Sequence, residues 1–225
     1  MKIGIIVFPG SNCDHDCYRS IKKVTGAEVQ YLWHKDRDLK NSDVVIVPGG
    51  FSYGDYLRSG AIAKFSPIMS ELIPAAEKGL PTVGICNGFQ ILTEAGLLPG
   101  ALMRNRDLHF ICDTVNIKVE NNRSAFTRKV NLEKIHRLPI AHMDGNYTID
   151  EAGLKSLQDN DQIVFRYVDD QGEANDTANP NGSLKNIAGI CNEAGNVIGL
   201  MPHPERVCEQ VLGGEDGRVF FESLM

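Results

Sequence analysis

The segment Gly84-Ile85-Cys86-Asn87-Gly88-Phe89-Gln90 constrains the fold more than any other stretch of the chain. An apolar run from Leu80 to Ile85 ends on a cysteine with glycines two residues to either side. A helix-type run from Phe89 to Ala95 follows at once. A chain that passes from strand to helix in so few residues must turn sharply. That turn is the layout of a nucleophile elbow, with sulfur in place of the more familiar hydroxyl. Glycines let the backbones pack closely and keep the thiol accessible. The start of the helix offers free N–H groups and the positive end of a dipole, which favour a thiolate and later an oxyanion. Free cysteine is otherwise one of the most buried residue types, and Cys13, Cys17, Cys112, Cys191 and Cys208 read as packing or surface residues.

A nucleophilic cysteine needs a base, and the base needs an orienting group. Of the six histidines, His203 has the most constraining frame, Met201-Pro202-His203-Pro204-Glu205, directly after the strand-type run Val197–Met201. Each proline pushes its predecessor towards extended geometry, and residues two apart in an extended segment face the same side. His203 and Glu205 are therefore expected to project together, with Glu205 accepting from one ring nitrogen and the other left for Cys86. His142 is the rival base, since it ends the apolar run Pro139-Ile140-Ala141 and has Asp144 two positions on. The remaining histidines, His15, His34, His109 and His136, lie in polar neighbourhoods and read as surface or structural.

A third piece is Val44–Val47, a buried-type strand that ends in Pro48-Gly49-Gly50-Phe51. Glycines there can turn backbone N–H groups into a site, as an oxyanion hole requires.

The chain has 225 residues, 42% of them hydrophobic, which is length and apolar content for one domain spanning 1–225. A formal charge of -6 without any basic block disfavours nucleic-acid binding. No stretch approaches the length of a membrane span, and Lys2–Phe8 runs straight into a Pro-Gly turn, so it reads as a first buried strand. A reactive thiol must stay reduced, which favours the cytoplasm. Cys13 and Cys17 are not followed by a second pair at zinc spacing, and no metal site is expected.

Strands are expected at Lys2–Phe8, Glu28–Trp33, Asp43–Val47 and Pro81–Ile85. Helices are expected near Asp14–Thr25, Gly60–Lys78 and Gly88–Ala95. The alternation predicts an α/β fold with a mainly parallel central sheet flanked by helices. The second half adds a strand-rich portion: Val115–Val119, Ile135–Ala141, Gln162–Val168, and a hairpin of Ile187–Asn192 with Val197–Met201. Residues 169–183 read as a loop and Gly217–Leu224 as a closing helix. Ligands in such sheets sit beyond the carboxyl ends of the strands, and Gly49-Gly50, Cys86 and His203 each follow a strand.

The order of these pieces resembles the class I (triad) glutamine amidotransferases. Longer strings carry the likeness from end to end: Phe8–Asp14 (FPGSNCD), Pro48–Gly60 (PGGFSYGDYLRSG), Gly84–Leu92 (GICNGFQIL), Met201–Arg206 (MPHPER) and Gly213–Gly217 (GGEDG). These strings are similar to the branch of the family that serves purine biosynthesis. The loop after His142 departs from the family pattern, with Met143 where a glycine is expected. The resemblance implies a catalytic triad of Cys86, His203 and Glu205, with oxyanion and substrate contacts from Gly50, Phe51, Asn87 and Gln90. It implies glutamine as substrate and no cofactor on this chain. The chain lacks a G-x-x-x-x-G-K-[ST] phosphate loop, so the released ammonia must pass to another subunit. The family supplies its identity: a large ATP- and Mg-using synthetase (PurL-like), with a small accessory subunit (PurS-like), converting formylglycinamide ribonucleotide to its amidine. Two other functions fit the same residues less fully, a stand-alone γ-glutamyl hydrolase or peptidase and a redox-sensing protein of the same fold.

Overall fold

The computed structural model describes residues 1–225. The first half alternates as its apolar periodicity dictates: β1 (Lys2–Val7), α1 (Asp14–Thr25), β2 (Glu28–Trp33), β3 (Val44–Val47), α2 (Met69–Glu77), β4 (Thr82–Ile85) and α3 (Asn87–Glu94). The second half contains β5 (Ala101–Met103), β6 (Ile111–Val119), β7 (Ile135–His142), β8 (Asn146–Thr148), α4 (Glu151–Asp159), β9 (Ile163–Tyr167), β10 (Ile187–Cys191), β11 (Val197–Leu200) and α5 (Arg218–Glu222).

One nine-stranded sheet, ordered β2-β1-β3-β4-β11-β10-β9-β6-β7, takes strands from both halves. From β2 to β11 its neighbours are parallel, and from β11 to β7 they are antiparallel. The parallel strands β3 and β4 are buried throughout, as strands covered on both faces must be. The strand-rich second half thus continues the same sheet, and a single cluster of 49 buried residues draws members from both halves. β7 is an edge strand, which is where Pro139 can be tolerated without a missing ladder bond.

The chain departs from its sequence reading at three places. The helix expected over Gly60–Lys78 is broken. Ala63–Phe65 forms a single 3₁₀ turn, Ser66 is extended (φ -64°, ψ 143°), and α2 starts only at Met69. Ser66 precedes Pro67, and a residue before proline is pushed out of the helical region. Helix α4 was not expected at all. Its N-cap is Asp150, whose side chain accepts from Gly153 N–H at 2.7 Å, a capping pattern the sequence does contain. The small pair β5–β8 was also not anticipated. No helix is long and apolar enough to cross a membrane.

Register explains why the expected functional residues converge. Leu200 lies beside Ile85 across the parallel β11–β4 pair, and Gly84 lies beside Val47 across β3–β4. Loops leaving the carboxyl ends of these adjacent strands start side by side. Cys86 N–H donates to Leu200 O at 2.7 Å, and His203 N–H donates to Pro139 O on β7 at 2.8 Å. The edge strand therefore pins the histidine segment across the mouth of the site.

Candidate active site

Cys86 stands at the N-cap of α3 with φ 51° and ψ -105°. A non-glycine residue in such a conformation stores strain of about 1–3 kcal/mol, which concentrates at functional sites. The flanking glycines are there for space. A Cβ on Gly88 would overlap the Val47 carbonyl, and one on Gly84 would stand 2.7 Å from the backbone of Gly88. Strand β3, strand β4 and helix α3 can pack this closely only without those side chains.

A cavity of about 200 Å³ joins Cys86 to Gly50, Phe51 and His203, with Asn12, Cys13, Phe110, Ala141 and Arg206 completing its wall. Cys86 Sγ lies 3.7 Å from Ala141 O. His203 Nδ1 pairs with Glu205 Oε1 at 2.6 Å, and both side chains are almost wholly buried. The pairing expected from the proline frame is present, although a 3₁₀ turn over Pro204–Arg206, rather than an extended segment, brings Glu205 round to the ring. His203 Nε2 has no protein partner, which leaves it free for proton transfer at the sulfur. Burial pulls the His203 imidazole down, but Glu205 and the thiols of Cys86 and Cys13 outweigh it, and the net shift is well upward. An imidazolium beside a cysteine is the arrangement that supports a thiolate.

A larger cavity of about 670 Å³ lies elsewhere, lined by Arg106, Arg166, Lys185 and polar side chains. Neither a cysteine nor a histidine lines it, and the chemistry belongs with the smaller cavity around Cys86.

The expected oxyanion donors are only partly free. Gly50 has φ 138°, and a Cβ there would meet the backbone of Ser11 and Asn12 within 3 Å, so the position demands glycine. The amides of Gly50 and Asn87 donate to no protein oxygen. The amide of Phe51, in contrast, donates to Gly10 O at 3.0 Å. Its N–H is committed to the Pro9–Cys13 loop and is not turned into the cavity. Asn87 and Gln90 interlock: Asn87 Oδ1 accepts from Ser52 N–H at 3.1 Å, and Asn87 Nδ2 donates to Gln90 Oε1 at 2.8 Å. Gln90 Nε2 donates in turn to Asp144 O at 2.6 Å.

Cys13 is where the sequence reading missed a site residue. Read as a packing cysteine, it is buried but lines the Cys86 cavity, and Arg206 Nη2 donates to its sulfur at 3.1 Å. The signal was its place in the Phe8–Asp14 string. Cys13, His203 and Glu205 bring three ligand-type atoms within 4.8 Å of one another, but the Arg206 guanidinium against the sulfur opposes a metal cation.

His142 does not share the His203 environment. Its Nδ1 meets Asn105 Oδ1 at 3.2 Å, and Asp144 does not orient it, since Asp144 Oδ2 accepts from Ser59 Oγ at 2.9 Å. Burial, reinforced by the charge of His203, pushes the His142 imidazole down to about 4. An unfolded histidine titrates near 6.5. Between those values the unfolded chain binds a proton that the folded chain refuses, so stability falls as pH drops through that window. The full loss is about 3 kcal/mol, and above pH ~6.5 the residue adds no pH dependence. Urea unfolding at pH 7 and pH 5 should show wild type losing about 2 kcal/mol more than His142→Asn over that interval. Equal losses would mean that His142 is not a buried neutral imidazole.

A strained cysteine at a helix start, a buried histidine–glutamate pair and free amides, all at the carboxyl ends of the parallel strands β3, β4 and β11, define a thiol amidohydrolase of the amidotransferase type. Residues 1–214 match the family of CobB/CobQ-like glutamine amidotransferase domains. The chain is 55% identical over 225 residues to the phosphoribosylformylglycinamidine synthase subunit PurQ of Koribacter versatilis, covering 100% of this chain and 97% of that protein. It is 56% identical over 220 residues to the PurQ subunit of Synechocystis, covering 98% of each. Among solved structures, a chain of the PurLQS structure from Thermotoga maritima superposes with a TM-score of 0.86 at 45% identity, covering 99% of this chain and 96% of that one. The chain belongs to the glutamine amidotransferase family and, within it, to the PurQ subunits of phosphoribosylformylglycinamidine synthase.

Proposed function

We infer that this chain is the glutaminase subunit of phosphoribosylformylglycinamidine synthase, and that Cys86, His203 and Glu205 are its triad. The observation that carries the triad is the buried 2.6 Å His203–Glu205 pair, in a cavity that also holds the elbow cysteine. The Cys86 sulfur attacks the side-chain amide carbon of glutamine. His203 Nε2 delivers a proton to the leaving nitrogen, ammonia departs, and a γ-glutamyl thioester remains. Water, deprotonated by His203, attacks the thioester carbon, releasing glutamate and restoring Cys86. Glu205 holds the tautomer and stabilises the imidazolium.

The amides of Gly50 and Asn87 meet the oxyanion, and that of Phe51 joins them once it leaves Gly10. Gln90 is in place to contact glutamine from the adjoining pocket wall. Ammonia passes to a PurL-like synthetase subunit that uses ATP and Mg, with a PurS-like small subunit, in the step from formylglycinamide ribonucleotide to formylglycinamidine ribonucleotide of purine biosynthesis. No cofactor is required on this chain, and the reaction belongs in the cytoplasm. Exposed Phe51 and Phe110 face each other at the cavity wall, 6.4 Å apart, and Tyr56 and Leu57 project from the same loop as Phe51. This apolar rim offers the synthetase a place to dock over the ammonia source.

The test is a pair of substitutions assayed for glutamate release in the assembled complex. His203→Ala is expected to lower turnover by about 10⁴-fold to 10⁶-fold, as removal of a triad base does. His142→Ala is expected to leave a measurable fraction, because a neutral imidazole without an acidic partner is no substitute base. Equal and complete loss in both would overturn the choice of base.

A further inference from the structure

The cavity lined by Arg106, Arg166 and Lys185 takes no part in the cleavage chemistry, and its wall suits an anion. Its volume of about 670 Å³ is that of a small-molecule site. The three cations come from separate segments: Arg106 from the loop after β5, Arg166 from β9 and Lys185 from the turn before β10. Asp176 is the one carboxylate in the wall. On a chain of formal charge -6 this is a local reversal of sign. Arg166 is anchored, with its side chain 19% exposed. It donates to Lys185 O, and Glu120 stands 3.5 Å from its Nε and offsets part of its charge. Arg106 has only a surface contact with Asp107, 3.9 Å away, which is worth little. Arg106 and Lys185 are therefore left for a ligand.

The segment that carries Lys185 adds an independent observation. Residues 168–186, between β9 and β10, form a long loop broken only by short 3₁₀ turns. Long ordered loops in compact domains are usually functional. This one is cross-braced by its own amides: Asn179 Oδ1 accepts from Gly182 N–H at 2.8 Å, and Asn179 Nδ2 donates to Ser183 O at 2.8 Å. Within that frame Lys185 is held at φ 50° and ψ 33°, and Asn186 at φ 58°. The left-handed region is uncommon for lysine, and such strain gathers at functional positions. Asn146 also lines the cavity, and its buried Oδ1 accepts from nothing in the chain. That leaves an acceptor for a hydroxyl.

The rest of the wall narrows the class of ligand. Ala174 and Leu184 are its only apolar residues, and no aromatic ring lines it, so nothing there would stack on a base. A phosphate monoester carries about -1.5 to -2 charges at pH 7, which matches two uncommitted cations, and the planar fork of arginine suits its oxygens.

We propose that this cavity binds a sugar phosphate without an aromatic base, with Arg106 and Lys185 on the phosphate and Asn146 on a sugar hydroxyl. The site is separate from the Cys86 cavity and does not depend on the glutaminase reading. The experiment is a titration of the chain with ribose 5-phosphate at physiological salt, followed by backbone amide NMR shifts. Saturation in the millimolar range or below is expected, with the shifts centred on Arg106, Gly182 and Lys185. Ribose should not bind, inorganic phosphate should bind more weakly, and AMP should gain nothing from its base. Arg106→Gln and Lys185→Asn should each weaken binding by about 10-fold, the worth of one hydrogen bond to a charged group. Both side chains are exposed, and asparagine tolerates the left-handed backbone at this position, so spectra outside the cavity should not change. No saturation, shifts centred elsewhere, or binding untouched by both variants would overturn the site. Inorganic phosphate binding as tightly as ribose 5-phosphate would mean an adventitious ion only. Tighter binding of AMP would overturn the choice of a sugar phosphate without a base.

Discussion

Cys86→Ala is expected to abolish glutamine-dependent amidine synthesis by the assembled complex and to spare synthesis from added ammonium salts. Loss of a covalent nucleophile from a triad costs about 10⁴-fold to 10⁶-fold in turnover, because the remaining groups act as a unit with it. The substitution itself is mild for the fold. It removes one sulfur from a position held by backbone bonds, Cys86 N–H to Leu200 O at 2.7 Å and Gln90 N–H to Cys86 O at 3.2 Å. With the ATP chemistry on the synthetase subunit, as proposed, ammonia supplied from solution bypasses the damaged site. Both reactions are measured on the same purified complex, with assembly checked by gel filtration. Loss of the ammonia-dependent reaction from an intact complex would mean that this chain contributes to the synthetase site, and the division into two active sites would be wrong.

The second large effect concerns the partner. Turnover of glutamine by the chain is expected to rise by about 10²-fold to 10³-fold when the synthetase and its nucleotide are bound, the worth of one oxyanion donor. The donor in question is the Phe51 amide. It is held by Gly10 O at 3.0 Å, and the next clamp, Tyr53 N–H to Pro9 O at 2.6 Å, fixes the same loop. Turning it inward requires the Gly50–Phe51 peptide to reorient, which glycine at Gly50 permits. The loop beyond is itself strained, with positive φ at the non-glycine residues Tyr53, Asp55 and Leu57, so a second arrangement stabilised by a docked partner is accessible. Steady-state glutaminase kinetics of the chain alone and of the complex decide the matter. Unchanged turnover would mean that the amides of Gly50 and Asn87 suffice and that the loop is a static wall.

Much of this was legible in the sequence because the signals are local. The strands β1, β2, β3 and β4 and helix α1 follow from short apolar runs bounded by turn residues. The elbow follows from Gly84, Cys86 and Gly88; the His203–Glu205 pairing is expected from the two-residue spacing, but through an extended segment where the chain instead makes a 3₁₀ turn over Pro204–Arg206. Contacts made over long sequence separations were not legible. Nothing near Phe51 announces that its amide is taken by Gly10, and nothing near Cys13 announces Arg206, which lies 193 residues away. The break at Ser66-Pro67 and the Asp150 cap of α4 were written locally and were passed over. In the first case the surrounding run reads as helix, and in the second the neighbouring segments read as strands.

The central claim is that Cys86, and no other thiol, carries the covalent chemistry, and the presence of Cys13 in the same cavity makes it a sharp one. The most direct measurement is labelling of the complex with a diazo-ketone analogue of glutamine, followed by peptide mass spectrometry of every cysteine. A single adduct on Cys86, suppressed by glutamine, is the result expected. An adduct on Cys13 with Cys86 unmodified would contradict the account and move the nucleophile to the loop that holds Phe51.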